Sequence, residues 1–182
     1  MRITVFGKGN VGGGLADLWE RAGHQVTRLG RDGGNVSDAD VVLVAVPGGS
    51  IAEALDRLSG LEGRTVIDAT NLYNVTPPDG FRSNAEFVKS RTGGPTAKSF
   101  NVNFASLYGR LADARVRPSN LWSGDEEARE VVEQLNRDAG YDPVYTGPLE
   151  NAARQESLID VIFAIGEDMG DYVYRFAPIE QL

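Results

Sequence analysis

The first fourteen residues, Met1-Arg-Ile-Thr-Val-Phe-Gly7-Lys-Gly9-Asn-Val-Gly12-Gly-Gly14, run an apolar strand straight into a glycine turn and then into a helix. Ile3, Val5 and Phe6 are residue types that suit a buried strand, and Leu15, Leu18, Trp19 and Ala22 recur at helical spacing. Gly7 permits the tight bend, Gly9 lets the backbone approach a pyrophosphate, and Gly12 lets helix and strand pack closely. The helix start then offers unpaired N–H groups and a favourable dipole. A GxGxxG match alone is weak; set between a strand and a helix it predicts a dinucleotide site at Gly7, Lys8, Gly9, Asn10, Val11 and Gly12.

The alternation continues along the chain. A helix closed by Gly23 and a strand over Gln25 to Leu29 complete a βαβ unit of about 30 residues, the kind whose crossover is right-handed and whose strands are parallel. Val41 to Val46 is a continuous apolar run, as in a strand covered on both faces, and Pro47 ends it. Further strands are predicted over 64–70, 96–100, 120–123 and 142–146, with helices over 51–58, 84–90, 104–111 and 125–139 and a last helical region over 149–174. The class is α/β, a Rossmann-type doubly wound parallel sheet. Only eleven residues separate Leu29 from Val41, too few for a helix and another strand, so one outer strand should be missing and the adenine side open. Residues 1–147 are expected to form the dinucleotide-binding domain. A helical segment, 148–182, would pack on it or on a second subunit; Leu158, Ile159, Ile162 and Phe163 make a homodimer plausible.

Composition narrows the partners. With 18 Lys and Arg against 26 Asp and Glu, the net charge is −8 and no basic run offsets it, which argues against nucleic acid and anionic membranes. There is no cysteine, hence no disulfide, thiolate nucleophile or cysteine metal site. The longest apolar stretch, Val41 to Pro47, falls well short of the roughly 20 residues of a membrane helix. No secretory pattern precedes the first strand, so a cytoplasmic location is expected. The single histidine, His24, stands at the entry to the second strand, opposite the strand ends where ligands collect, and reads as structural.

The end of the second strand addresses the choice of dinucleotide. NAD sites usually place a carboxylate there for the ribose 2′-hydroxyl, but the segment reads Thr27-Arg28-Leu29-Gly30-Arg31-Asp32. Arg31 stands where a guanidinium can engage a 2′-phosphate and Lys8 can add a second charge, which favours NADP over NAD; Asp32 is the competing group. Three segments reach the carboxyl ends of the strands: Ala45-Val46-Pro47-Gly48, Asp68-Ala69-Thr70-Asn71, and Phe100-Asn101-Val102-Asn103-Phe104. Asn71, Phe100, Asn101 and Asn103 are the substrate-side candidates, since the asparagine amides can donate and accept in a site otherwise lacking titratable groups. No catalytic residue is assigned. Without a placed Ser-His-Asp set, metal cluster or lysine or tyrosine acid, the chemistry narrows to hydride transfer between two cofactors, which needs chiefly alignment and exclusion of water. Reduction of a small imine or carbonyl would require a proton donor, and a non-catalytic NADP-binding sensor is the third reading.

These pieces together resemble the NADP oxidoreductases typified by 8-hydroxy-5-deazaflavin:NADP oxidoreductase. The likeness rests on Ile3 to Gly12, Ala22-Gly-His-Gln-Val26, Ala39 to Pro47, Val66-Ile-Asp-Ala-Thr-Asn71, Lys98-Ser-Phe-Asn101, Ser123-Gly-Asp125, Gly140-Tyr-Asp-Pro143 and Gly147-Pro-Leu-Glu-Asn151, in the family's order. The resemblance implies dinucleotide contacts at Gly9, Asn10, Val11, Arg31, Pro47 and the Asn71 loop, and a deazaflavin entering as co-substrate near Phe100 to Asn103. Two departures stand out. The link after Arg31 is short, and Gly30 occupies a position where that family often has serine for the 2′-phosphate.

Overall fold

The computed structural model describes residues 1–181. Strand β1 (Arg2–Phe6) leads through the glycine turn into helix α1 (Asn10–Arg21), followed by β2 (Gln25–Leu29), the two-residue β3 (Gly34–Asn35) and β4 (Val41–Val44). Helix α2 (Ile51–Leu55), β5 (Leu58–Ser59), β6 (Thr65–Asp68), α3 (Asn84–Thr92) and β7 (Thr96–Ser99) complete the parallel part. Then come β8 (Ser119–Gly124), α4 (Arg129–Asp138), β9 (Asp142–Tyr145) and the long α5 (Ala152–Met169).

Seven strands form one sheet in the order β2-β1-β4-β6-β7-β8-β9. The sequence expectation of an α/β Rossmann-like sheet is met, with one difference: β8 joins β7 antiparallel, and β9 follows β8 in its direction. A parallel neighbour needs a crossover helix on the sheet face. The stretch after β7 forms only a 3₁₀ segment, Ala105–Asp113, whose Tyr108 and Leu111 dock into the core beside α1, and the strand that follows enters reversed. The expected α-helix over 104–111 is thus a tighter coil, and the α-helix predicted from Asp125 starts as a 3₁₀ turn before Arg129.

Two apolar layers flank the sheet. On one face, Ile3, Val5 and Leu43 meet Leu15, Trp19, Val132 and Leu135 of α1 and α4; Trp19 is fully buried and donates its indole N–H to the Leu135 carbonyl at 2.9 Å. On the other, Val42, Val44 and Val66 meet Ile51, Leu55, Phe87 and Val88 of α2 and α3. Helix α3 begins at an N-cap, with Ser83 Oγ accepting from the Glu86 N–H at 3.1 Å while the Glu86 carboxylate accepts from the Arg82 N–H at 2.9 Å, and ends at Gly93 in the left-handed region.

Helix α5 covers the far side of β8. Its Ile159 and Ile162 pack against Val102 and Leu121 of the same chain, whereas Val161, Phe163, Ile165 and Met169 are exposed. The apolar stripe read from the sequence is therefore split between the chain's own sheet and the surface. The helical reading also ran too far, since residues 170–178 are irregular and are tied to β8 through Ser119 N–H to Tyr174 O at 2.8 Å. His24 bridges the N-terminal amine and Asp138, with Nε2 at 2.8 Å from Oδ2, at the end of the sheet away from the glycine turn.

The eleven-residue link holds no helix, and β2 is the edge of the main sheet. The link is not featureless. Its β3 pairs with β5 as a separate two-stranded sheet, Gly34 opposite Leu58 and Asn35 opposite Ser59.

Candidate dinucleotide cleft

Each glycine of the turn meets a different constraint. Gly7 has φ +115°, and a Cβ there would stand 2.1 Å from the Ala45 carbonyl oxygen. A Cβ on Gly12 would stand 2.0 Å from the Gly7 carbonyl oxygen. Both positions exclude any side chain. A Cβ on Gly9 would meet nothing within 4 Å, so among the described residues none fills the space on that side of the backbone. Gly9 is also the N-cap of α1; no side chain caps that helix and its first turn has no acid. Uncapped N–H groups of this kind are suited to receive an anion.

A cleft of about 410 Å³ opens from this turn. Phe6, Gly7, Lys8, Gly9, Gly30, Arg31, Ala45, Val46 and Pro47 line it, and Ser50, Glu53, Ala54 and Arg57 of the α2 region form its other wall. Asp32 is not among the lining residues. The lysine arches toward the position after β2: a Cβ on Gly30 would meet Lys8 Cε at 3.7 Å and Nζ at 3.8 Å. Lys8 thus lies within ordinary contact distance of a side chain built at Gly30. Arg57 was not legible in the sequence as a cleft residue, because the β3–β5 pairing that brings it to Arg31 has no periodic signal of its own.

A second cleft of about 360 Å³ continues past Pro47, sharing Ala45, Val46 and Pro47 with the first and lined further by Val11, Gly48, Gly49, Ala69, Thr70, Asn71, Tyr73 and Val75. Asn10 is exposed in the first turn of α1. The 47–49 turn and the 70–71 loop are pressed together, since a Cβ on Gly48 would stand 2.0 Å from the Asn71 carbonyl oxygen. A larger, shallow hollow of about 870 Å³ lies under the C-terminal tail around Arg137, Asp142 and Arg175; it contains none of the glycine turn.

Of the four substrate-side candidates, Asn71 lines this cleft and the other three do not. Phe100 is 1 % exposed and meets Trp19 edge-on at 5.7 Å in the core; its positive φ of 62° turns the chain after β7 and sends the ring inward. Asn101 is buried with its amide spent: Nδ2 donates to Asn71 Oδ1 at 3.0 Å and Oδ1 accepts from Gln155 Nε2 at 2.8 Å. Asn103 donates to Asn120 Oδ1 at 2.6 Å. The ligand contact expected for these three from their place after a strand is replaced by partners within the protein, and of the three only Asn101 is hydrogen-bonded to Asn71. Tyr73, absent from the sequence assignment, brings a phenol to this end of the cleft. It is 57 % exposed and meets the Phe163 ring edge-on at 5.5 Å.

Behind the Asn71 loop lies a buried charge cluster. Lys98 Nζ donates to Asp68 Oδ2 at 2.9 Å and to the Thr70 carbonyl, and lies 2.7 Å from Glu156 Oε1. The lysine and aspartate side chains are fully buried and the glutamate nearly so. The glutamate contact is close but poorly aligned, and neither of its oxygens gains a good hydrogen bond from a side chain. Burial, reinforced by the charge of Asp68 and opposed by Lys98, pushes the Glu156 carboxyl up to about 7. Asn84 extends the network, donating to Thr70 Oγ1 at 2.9 Å and to the Gly48 carbonyl at 3.1 Å. A polar chain from α5 therefore fixes both loops that line the second cleft.

No family model matches this chain, and no curated protein matches it in sequence. Solved structures share its fold. A protein from Arthrobacter sp. FB24, provisionally named an F420-dependent NADP-reductase, superposes with a TM-score of 0.79 at 23 % identity over 98 % of this chain and 100 % of that one. An imine reductase from Streptomyces aurantiacus gives 0.70 at 16 % identity over 93 % of this chain and 64 % of that one. A reductive aminase from Aspergillus terreus, solved with NADPH and ethyl levulinate, gives 0.67 at 15 % identity over 92 % and 62 %. The likeness establishes the Rossmann-like architecture.

Proposed function

We propose that this protein is an NADP-dependent oxidoreductase that passes a hydride between nicotinamide and a deazaflavin or flavin-like acceptor. The observation that carries this reading is the pair of joined clefts with opposite chemistry. The first holds an uncapped helix start, Lys8, Arg31 and Arg57. The second is lined by backbone, apolar side chains, hydroxyl groups and the Asn71 amide, with no carboxylate, lysine, arginine or histidine.

The residues fit the dinucleotide. Gly9 and the uncapped helix start would hold the pyrophosphate, Lys8, Arg31 and Arg57 would hold the 2′-phosphate, and Ala45 to Pro47, shared by both clefts, would contact the cofactor between its two halves. When bound, the cofactor supplies or accepts the hydride. The chain orients the nicotinamide against the Pro47 and Asn71 loops and gives the acceptor ring an aromatic edge at Tyr73 and Phe163. The resemblance of its motifs to those of deazaflavin-linked NADP oxidoreductases and a fold shared with a protein named for F420 support that acceptor class.

The Tyr73 phenol favours a second reading, reduction of an imine or carbonyl, in which the hydride goes to carbon and the phenol delivers the proton to nitrogen or oxygen. Anaerobic mixing of the protein and NADPH with oxidised deazaflavin, flavin, a cyclic imine or a ketone separates the cases by which partner oxidises the nicotinamide. Turnover with the deazaflavin or flavin supports the first reading, and turnover with the imine or ketone alone supports the second. Tight NADPH binding with no acceptor reduced would refute both and leave a sensor.

A further inference from the structure

The missing outer strand leaves β2 as the sheet edge, and the link that follows it forms the separate, miniature β3–β5 sheet. That pairing carries one side chain into the cofactor cleft. The Gly34 N–H donates to the Arg57 carbonyl at 3.0 Å, and the Val36 N–H donates to the Ser59 carbonyl at 2.9 Å. Gly33 lies so close that a Cβ there would stand 2.0 Å from the Arg57 carbonyl oxygen, and its φ of +71° is one that only glycine adopts freely. The link after Arg31 is therefore clamped against the backbone of Arg57. The side chain completes the clamp, with Arg57 Nη1 donating to the Arg31 carbonyl at 3.0 Å.

We infer that Arg57 is a specificity-determining residue for the phosphate monoester on the cofactor's ribose, forming with Arg31 and Lys8 a three-cation site that replaces the contacts of the missing strand. This rests on the NADP reading above. All three side chains line one cleft. A guanidinium has five N–H donors, and the Arg31 carbonyl occupies one of them. The neighbouring carboxylate, Glu53, is 81 % exposed and 3.8 Å away, beyond hydrogen-bond reach, so it does not compete strongly for the rest. Gly30 matters here as well. With no hydroxyl at that position, hydrogen bonds to a phosphate must come from longer side chains, and Lys8 already reaches across it.

A dianionic phosphate held by two guanidiniums and an ammonium gains charge-assisted hydrogen bonds, whereas a 2′-hydroxyl gains little from the same groups. The preference between NADPH and NADH is then set in part by a residue 26 positions from Arg31 that reaches the cleft through tertiary pairing.

The test measures dissociation constants of NADPH, NADH, 2′,5′-ADP and 5′-AMP for the wild type and for Arg57→Ala, Arg57→Lys and Arg31→Ala. In wild type NADPH should bind more tightly than NADH, and 2′,5′-ADP more tightly than 5′-AMP. Arg57→Ala should weaken NADPH and 2′,5′-ADP about ten- to a hundredfold and change NADH and 5′-AMP less than about threefold. Arg57→Lys, which keeps the charge and most of the stem, should recover part of the loss. Because each ratio is taken within one variant, a general loss of folded protein cannot imitate the result. Equal losses for the two members of a pair, or an unchanged ratio in Arg57→Ala beside a collapsed ratio in Arg31→Ala, would overturn the role of Arg57 and leave the NADP reading standing. A wild type that binds neither dinucleotide, or prefers NADH, would overturn the NADP reading and this inference with it.

Discussion

Lys98 Nζ and Glu156 Oε1 lie 2.7 Å apart with essentially no solvent contact, joining α5 to the strand that ends beside the second cleft. Asp68 shares the same ammonium, so two carboxylates compete for one cation. The glutamate is the one that yields, its carboxyl pushed up to about 7 by burial first and by Asp68 second.

The sign of the resulting pH dependence follows. Because the folded carboxyl titrates near 7 and the unfolded one near 4.5, the folded state holds the extra proton between those values. The stability from this group is complete below 4.5 and is lost as pH rises through 7. The loss is of order 3 kcal/mol for a shift of this size. In urea unfolding, Glu156→Gln should match the wild type at pH 5 and exceed it by roughly 2–3 kcal/mol at pH 8. Parallel curves for the two proteins across that range would show that Glu156 is ionised throughout.

Removing the cation has the opposite outcome. Lys98→Met leaves two buried carboxylates facing each other and should destabilise the fold by about 3–5 kcal/mol at pH 8, with a smaller loss at pH 5, where one is protonated. A loss that does not vary with pH would place the energy in packing alone.

The glycine turn offers a separation of fold from binding. A Cβ on Gly12 has no room beside the Gly7 carbonyl, so Gly12→Ala should cost several kcal/mol or prevent folding. A Cβ on Gly9 meets nothing, and the backbone there, φ −74° and ψ −170°, suits alanine. Gly9→Ala should therefore keep its stability to within about 1 kcal/mol while NADPH affinity falls at least about tenfold, because the methyl enters the phosphate space. Calorimetric melting and a binding titration on the same samples decide it.

The order of elements was legible because each long segment has one clear period, and the turn because three glycines stand at fixed spacing between a strand and a helix. Three things escaped. The reversal of β8 depends on how Tyr108 and Leu111 pack, which no local pattern records. The β3–β5 pair is two residues on each side and has no periodicity to read. Asn101 looked like a ligand contact from its place after β7, but its partners, Asn71 and Gln155, come from 30 and 54 residues away and only the folded chain shows that they use up its amide.

Tyr73 tests the choice between acceptors. If the acceptor is a deazaflavin or flavin-like ring, Tyr73→Phe should retain the turnover rate within about threefold, because the ring edge stays and no proton is taken from the phenol. If the acceptor is an imine or ketone, the same change should cost about a hundredfold or more, with the loss in the hydride-transfer step and NADPH affinity unchanged.

The central claim is best tested by a single anaerobic stopped-flow measurement, in which the wild-type protein saturated with NADPH is mixed with an oxidised deazaflavin. The account predicts that the nicotinamide absorbance and the deazaflavin absorbance fall together, one equivalent for one, with NADH much slower at equal concentration. NADPH bound to the cleft with both absorbances unchanged would contradict it.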